Sequence, residues 1–125
     1  MATTSSSPPF AIAEAPSRNE LLAKYFRGLG DPTRLRILRL LDEAGELSVS
    51  QIVSRLELPQ ATVSTHLGCL RWCGFVTTRR HDRYVIYELA DPRVSELIEV
   101  GESLLADNAE HVACCTTIDT PKRRA

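Results

Sequence analysis

Residues 56–83 read LELPQATVSTHLGCLRWCGFVTTRRHDR, and this stretch decides the fold. After Pro59, Val63, Leu67 and Leu70 recur at the spacing that puts apolar side chains on one helical face, and Gly74 supplies a stop. The other face holds Gln60, Thr62, Ser64 and Thr65. Hydroxyl side chains compete for backbone hydrogen bonds and lower helix propensity, so packing gives little reason to gather them there. A surface that meets base edges or phosphates does give one. Residues 48–56 carry a shorter helical pattern, separated from the polar-faced helix only by Glu57, Leu58 and Pro59. A short helix, a tight turn and a second helix with a polar face predict a helix-turn-helix, whose second helix lies in the major groove of DNA.

The same helix carries a second signal. Cys69 and Cys73 stand at i and i+4, so their thiols share a face about one turn apart. Such a pair suits a soft metal, two small buried apolar residues, or a thiol-redox switch, since Arg71 nearby favours a thiolate. Trp72 lies between them and reads as a packing aromatic.

Working outward, the chain continues past Gly74 with two β-prone runs, 75–80 and 83–89, joined at His81-Asp82. They predict a hairpin with Arg80 and Arg83 about its tip, placed as the wing of a winged helix whose arginines follow a neighbouring phosphate line. On the amino-terminal side, Ser48 with Gln51 forms a capping box, and Asp31-Pro32 opens an apolar helix reaching about Ala44. Leu21, Leu22, Tyr25, Phe26 and Leu29 give a further helix over 18–29. Asp91-Pro92 opens a last helix, with Val94, Leu97, Ile98, Leu104 and Leu105 as its stripe to about Glu110. A stripe on a terminal helix of a small domain needs a partner. The last helix is therefore expected to pair with its own copy and with the first helix across a two-fold axis, setting two reading helices about one DNA turn apart.

The predicted architecture is mostly α with a β-hairpin, a homodimeric winged helix-turn-helix. Residues 1–17 form a Ser/Pro-rich disordered arm, 18–110 the folded domain with dimerisation helices at both ends, and 111–125 a tail bearing Cys114 and Cys115. At 125 residues the chain makes one domain, without internal repeats. The balance of 15 basic and 16 acidic side chains, net −1, counts against a purely electrostatic nucleic-acid binder. Charge is instead segregated. Arg71, Arg79, Arg80 and Arg83 gather in the reading region, while Glu96, Glu99, Glu102, Asp107 and Glu110 crowd the last helix. No run of about eighteen apolar residues spans a membrane and the amino terminus lacks a secretory pattern. A cytoplasmic location follows, where four cysteines stay reduced and serve metal or redox chemistry rather than structural disulfides.

Taken together, GLGDPTRLRILRLL, then ELSVSQIVSRLELPQATVSTHLGCLRWCGFV and a short hairpin, resemble the ArsR/SmtB family of bacterial metal-responsive winged-helix repressors over about 21–109. The resemblance implies a homodimer that holds double-stranded operator DNA when metal-free and releases it on binding its inducer. It implies that Gln60, Thr62, Ser64 and Thr65 face DNA with His66 nearby. Where arsenic sensors of the family carry Cys-Val-Cys, this chain has Ser48-Val49-Ser50, and of the zinc-sensing set on the last helix only Asp107, Glu110 and His111 stand as a partial match. The sequence is most similar to the CmtR-type cadmium and lead sensors. Their Cys-Leu-x-x-Cys-Gly is matched by Cys69-Leu70-Arg71-Trp72-Cys73-Gly74, with Cys114 in register for the third thiolate. Cys115 departs from that pattern and leaves the choice of tail thiol open.

The implied inducer is Cd(II) or Pb(II), with Zn(II) and As(III) also compatible with sulfur donors. The tail thiol would come from the same chain or from the other protomer. A thiol-redox or As(III)-responsive regulator of the same fold is the alternative. A small thiol oxidoreductase fits poorly, because the cysteines lack Cys-x-x-Cys spacing and no Gly-rich phosphate loop or paired carboxylates accompany them. His81 with Asp82 reads as turn chemistry.

Overall fold

A computed structural model describes residues 17–119. Helix α1 (Arg18–Leu29) opens on a capping box between Ser17 and Glu20. Helix α2 (Pro32–Ala44) is capped by Asp31, whose carboxylate accepts from the N–H groups of Thr33 and Arg34 at 2.8 and 3.1 Å. Ser48 and Gln51 form the expected capping box at the start of α3 (Val49–Leu56). Glu57, in the left-handed region at φ 57°, turns the chain through Leu58 and Pro59 into α4 (Gln60–Trp72).

Helix α4 ends in a Schellman motif. Phe75 N–H donates to the Leu70 carbonyl and Gly74 N–H to that of Arg71, with Gly74 at φ 85°. That positive φ is why the stop is a glycine. The chain leaves as β2 (Val76–His81), returns as β3 (Tyr84–Leu89), and enters the long α5 (Pro92–Cys114) and the single turn α6 (Thr116–Asp119).

The hairpin register pairs His81 with Tyr84, so the turn is Asp82-Arg83, one residue later than expected, with Asp82 at φ 56°. A two-residue strand β1 (Leu47–Ser48), unforeseen in the sequence, pairs antiparallel with β3 and gives the sheet order β1-β3-β2. The core joins Ile37, Leu38 and Leu41 of α2, Ile52 and Leu56 of α3, and Val63, Leu67 and Leu70 of α4. Leu47, Phe75, Val76 and Val94 close it. The face of α4 read as apolar is thus buried in full. Three helices, a three-stranded sheet and the flanking α1 and α5 make the winged helix-turn-helix that the sequence predicts.

Two boundaries differ from expectation. Ser17 belongs to the fold as the cap of α1 rather than to an arm, while an arm over residues 1–16 lies outside the described residues. Helix α5 continues past Glu110, so Cys114 is helical and Cys115 is its cap. Nothing in Glu110-His111-Val112-Ala113 breaks a helix, and the turns continue although the apolar stripe thins. Among the described residues no helix is long and apolar enough to cross a membrane.

Candidate nucleic-acid interface and thiol pair

Burying Val63, Leu67 and Leu70 turns the opposite face of α4 to solvent, and Gln60, Thr62, Ser64 and Thr65 are all exposed there. The Thr65 hydroxyl donates to the Ala61 carbonyl at 2.9 Å, so its proton is engaged and its oxygen is left to accept. The helix begins on Pro59, which provides no side-chain cap, and its first-turn N–H groups keep their partial positive charge. Arg80 and Arg83 are exposed on the wing and Arg71 at the far end of α4, none in an ion pair among the described residues. Arg79 differs. It is bound to Glu46, and that carboxylate holds its guanidinium pKa above the ordinary value.

His66 is turned inward. Its Nδ1 accepts from Arg34 Nε at 3.2 Å and lies 4.0 Å from an Asp31 carboxylate oxygen, with 18 % of the side chain exposed. The same Arg34 donates through Nη1 to the carbonyls of Arg27 and Gly28 at 3.3 and 3.1 Å, capping the end of α1. Sequence reasoning marked Asp31-Pro32-Thr33-Arg34 as a helix start. It missed this role of Arg34, because its partners are six to 32 residues away and no local pattern announces them.

One and two turns beyond His66, Cys69 and Cys73 are half-buried and their thiols interact with each other. Burial pushes the Cys73 thiol pKa up, the neighbouring Cys69 thiol adds to this, and the positive charges of Arg34 and Lys24 oppose it. A β-carbon on Gly28 would stand 3.4 Å from both Cys73 Sγ and the Phe75 ring, so the sulfur and helix α1 are about one methyl group apart. Tyr25 stacks on Phe75 with ring centroids 4.6 Å apart, and burial followed by the nearby Cys73 thiol raises its phenol pKa. Cys73 is therefore walled by α1 on its inner side. Trp72, by contrast, is 92 % exposed rather than packed within the protomer.

The tail thiols do not join this pair within one protomer. Among the described residues no three Cys, His, Asp or Glu side chains gather in a metal-binding group. The first turns of α5 border Tyr25 and Gly74, beside Cys73, through Arg93, Val94 and Leu97. Cys114 closes α5 at its other end, about 30 Å along the axis from Val94 at a rise of roughly 1.5 Å per residue. Cys69, Cys73, Cys114 and Cys115 thus do not gather into one group within a single chain among the described residues. The partial set Asp107, Glu110 and His111 likewise forms no cluster.

The match to a family model describing bacterial regulatory proteins of the arsR family covers residues 31–78, from the cap of α2 into the wing. The chain is 40 % identical over 109 residues to a probable mercury resistance operon repressor of Streptomyces lividans, covering 86 % of each protein. It is 43 % identical over 88 residues to the HTH-type transcriptional regulator CmtR of Mycobacterium tuberculosis, covering 66 % of this chain and 73 % of that one. Its fold matches the homodimeric winged helix-turn-helix DNA-binding domain Mb0332 of Mycobacterium bovis with a TM-score of 0.63 at 29 % identity, over 78 % of this chain and 92 % of that one. Helix order, wing and sequence agree, and the chain belongs to the ArsR family of bacterial regulatory proteins.

Proposed function

We propose that this protein is a homodimeric transcriptional repressor that grips operator DNA when metal-free and releases it when a soft cation, Cd(II) or Pb(II) in the first place, engages Cys69 and Cys73. The observation that carries this reading is a mutually contacting, half-buried thiol pair on the very helix whose exposed face offers Gln60, Thr62, Ser64 and Thr65. Those four side chains would meet base edges, the uncapped first turn of α4 a phosphate, and Arg80 and Arg83 the backbone along the wing. His66, facing Arg34, would act on DNA through the placement of α4 more than by its own contact.

Two sulfurs are an incomplete shell for such ions. The third donor would be Cys114 or Cys115 of the partner subunit, since the chain's own tail is held away by the length of α5. Bound there, the ion supplies one soft centre linking the two subunits. Zn(II) and As(III) suit the same donors and are arms of the test. The dimer would form over the apolar residues that α1 and α5 leave exposed, among them Phe26, Val100, Leu104 and Leu105.

Release is linkage: a ligand favouring the conformer that cannot place both reading helices in successive grooves weakens DNA binding by the same factor, of about 1–3 kcal/mol or more. Gel shifts on the protein's own upstream DNA, with and without Cd(II), Pb(II), Zn(II) and As(III), test partner and effector together. Cys69→Ser and Cys73→Ser should keep DNA binding and lose release by Cd(II). A variant that still lets go normally removes those thiols from sensing. A thiol-redox switch is the second reading, favoured by the contact between the two sulfurs. It requires a readily ionised thiol, and burial drives Cys73 the other way. Release by diamide but not by Cd(II) would select it.

A further inference from the structure

Helix α4 is fastened to α1 at two points, and both fall on Gly28. At the first, Arg34 grips the Gly28 carbonyl with Nη1 and the His66 ring with Nε, so the middle of α4 hangs on α1 through one guanidinium. At the second, Cys73 Sγ faces Gly28, 3.4 Å from where a β-carbon on that residue would stand. His66 and Cys73 are separated by two helical turns, about 10 Å of axial rise. A stiff rod held at two such points has its tilt fixed by their relative heights. Lifting the Cys73 end by about 1 Å with His66 held would rotate α4 by roughly 5° for that lever length.

On its inner side Cys73 faces Gly28 and Phe75 across a gap that one methyl group would fill. A cation shared by Cys69, Cys73 and a donor from outside the protomer would be held on the side away from α1, and would draw the Cys73 sulfur outward. The Arg34 contacts, to the Gly28 carbonyl and the His66 ring, involve neither thiol and need not break. One fastening would yield and the other hold.

We propose that Arg34 and His66 are the positioning residues that turn ligand binding at Cys69 and Cys73 into a rotation of the DNA-reading helix, with the Arg34–His66 hydrogen bond as the pivot. This rests on the sensing reading above, and the two fail differently. Without the pivot, movement of Cys73 is absorbed locally and the exposed face of α4 no longer responds to it. The thiols still bind the ion, because neither Arg34 nor His66 donates to it.

The test measures three quantities on the full-length protein: Cd(II) affinity from thiolate-to-metal charge-transfer absorbance, DNA affinity by fluorescence anisotropy without metal, and the same with saturating Cd(II). The ratio of the two DNA affinities is the coupling factor. In Arg34→Met and His66→Phe, Cd(II) affinity is expected to stay within about threefold of wild type while the ratio falls to within about twofold of one. His66→Asn, whose Oδ1 can accept from Arg34 Nε, should restore the ratio. Loss of stability alone lowers the melting temperature and leaves the ratio untouched. Should Arg34→Met not fold, the His66 pair decides, since it keeps the α1 carbonyls capped. A wild-type ratio in His66→Phe overturns the pivot and spares the sensing reading. A wild type with neither the Cd(II) absorbance nor any change in DNA affinity overturns both.

Discussion

Gly28 and Cys73 show how much rests on single atoms at the junction of α1 and α4. A methyl group at position 28 would make ordinary contact, 3.4 Å from Cys73 Sγ and from the Phe75 ring, and Gly28 lies within helix α1. Gly28→Ala should therefore gain helix propensity without a clash, stabilising the fold by about 0.5–1 kcal/mol and raising the melting temperature by a few degrees. A lower melting temperature in a calorimetric scan would show that the sulfur cannot yield at all. Cys73 carries a pH signature with a definite sign. Burial, reinforced by Cys69, raises its pKa in the fold, whereas the unfolded thiol ionises near about 8.5. Its contribution is fully present below that value and is lost as pH rises through the folded pKa, because the unfolded chain gives up its proton first. Urea melts under reducing conditions should show stability falling from pH 7.5 to 9.5. Cys73→Ser, which does not titrate there, should flatten that fall; an identical fall in the variant would assign it to other groups.

Among the elements, those whose signals are local were legible and those that depend on distant partners were not. Asp31-Pro32, Ser48 with Gln51 and Asp91-Pro92 each start a helix where the sequence places it, because a cap involves residues two or three apart. Asp31→Ala removes acceptors from both Thr33 and Arg34 N–H groups and should cost about 1–2 kcal/mol in a denaturant melt, with no change in helix count. A loss below a few tenths would mean that water caps α2 as well. Strand β1 escaped notice because two residues carry no periodicity; it exists by pairing Leu47 with Tyr87 far along the chain. The same holds at the site. The exposed face of α4 and the Cys69–Cys73 spacing follow from helical geometry alone, while the Arg34 bridge needed α1, α2 and α4 assembled. Placing the tail thiols required knowing that α5 runs on to Cys114, which no stop signal before that residue contradicts.

At the scale of the whole molecule, one protomer leaves two things unfinished. Val100, Leu104 and Leu105 on α5 and Leu22 and Phe26 on α1 are 47 to 60 % exposed, more apolar surface than a small domain keeps in water without covering it. Among the described residues, Cys69 and Cys73 also have no third sulfur of their own chain gathered with them. The two-fold dimer proposed over α1 and α5 would answer both: it would cover the stripe and bring the far end of one α5 to the partner's reading helix. The two needs can be separated by experiment. Leu104→Glu places a charge in the apolar face without touching the core, the thiols or the exposed face of α4. The variant should sediment as a folded monomer and bind operator DNA at least about a hundredfold more weakly, because two half-sites are no longer held by one body. Its Cd(II) absorbance should fall by about a third, from three sulfurs to two. A monomer with undiminished absorbance would mean that the third donor is not the partner's, and one with unchanged DNA affinity would mean that a single reading helix and wing suffice.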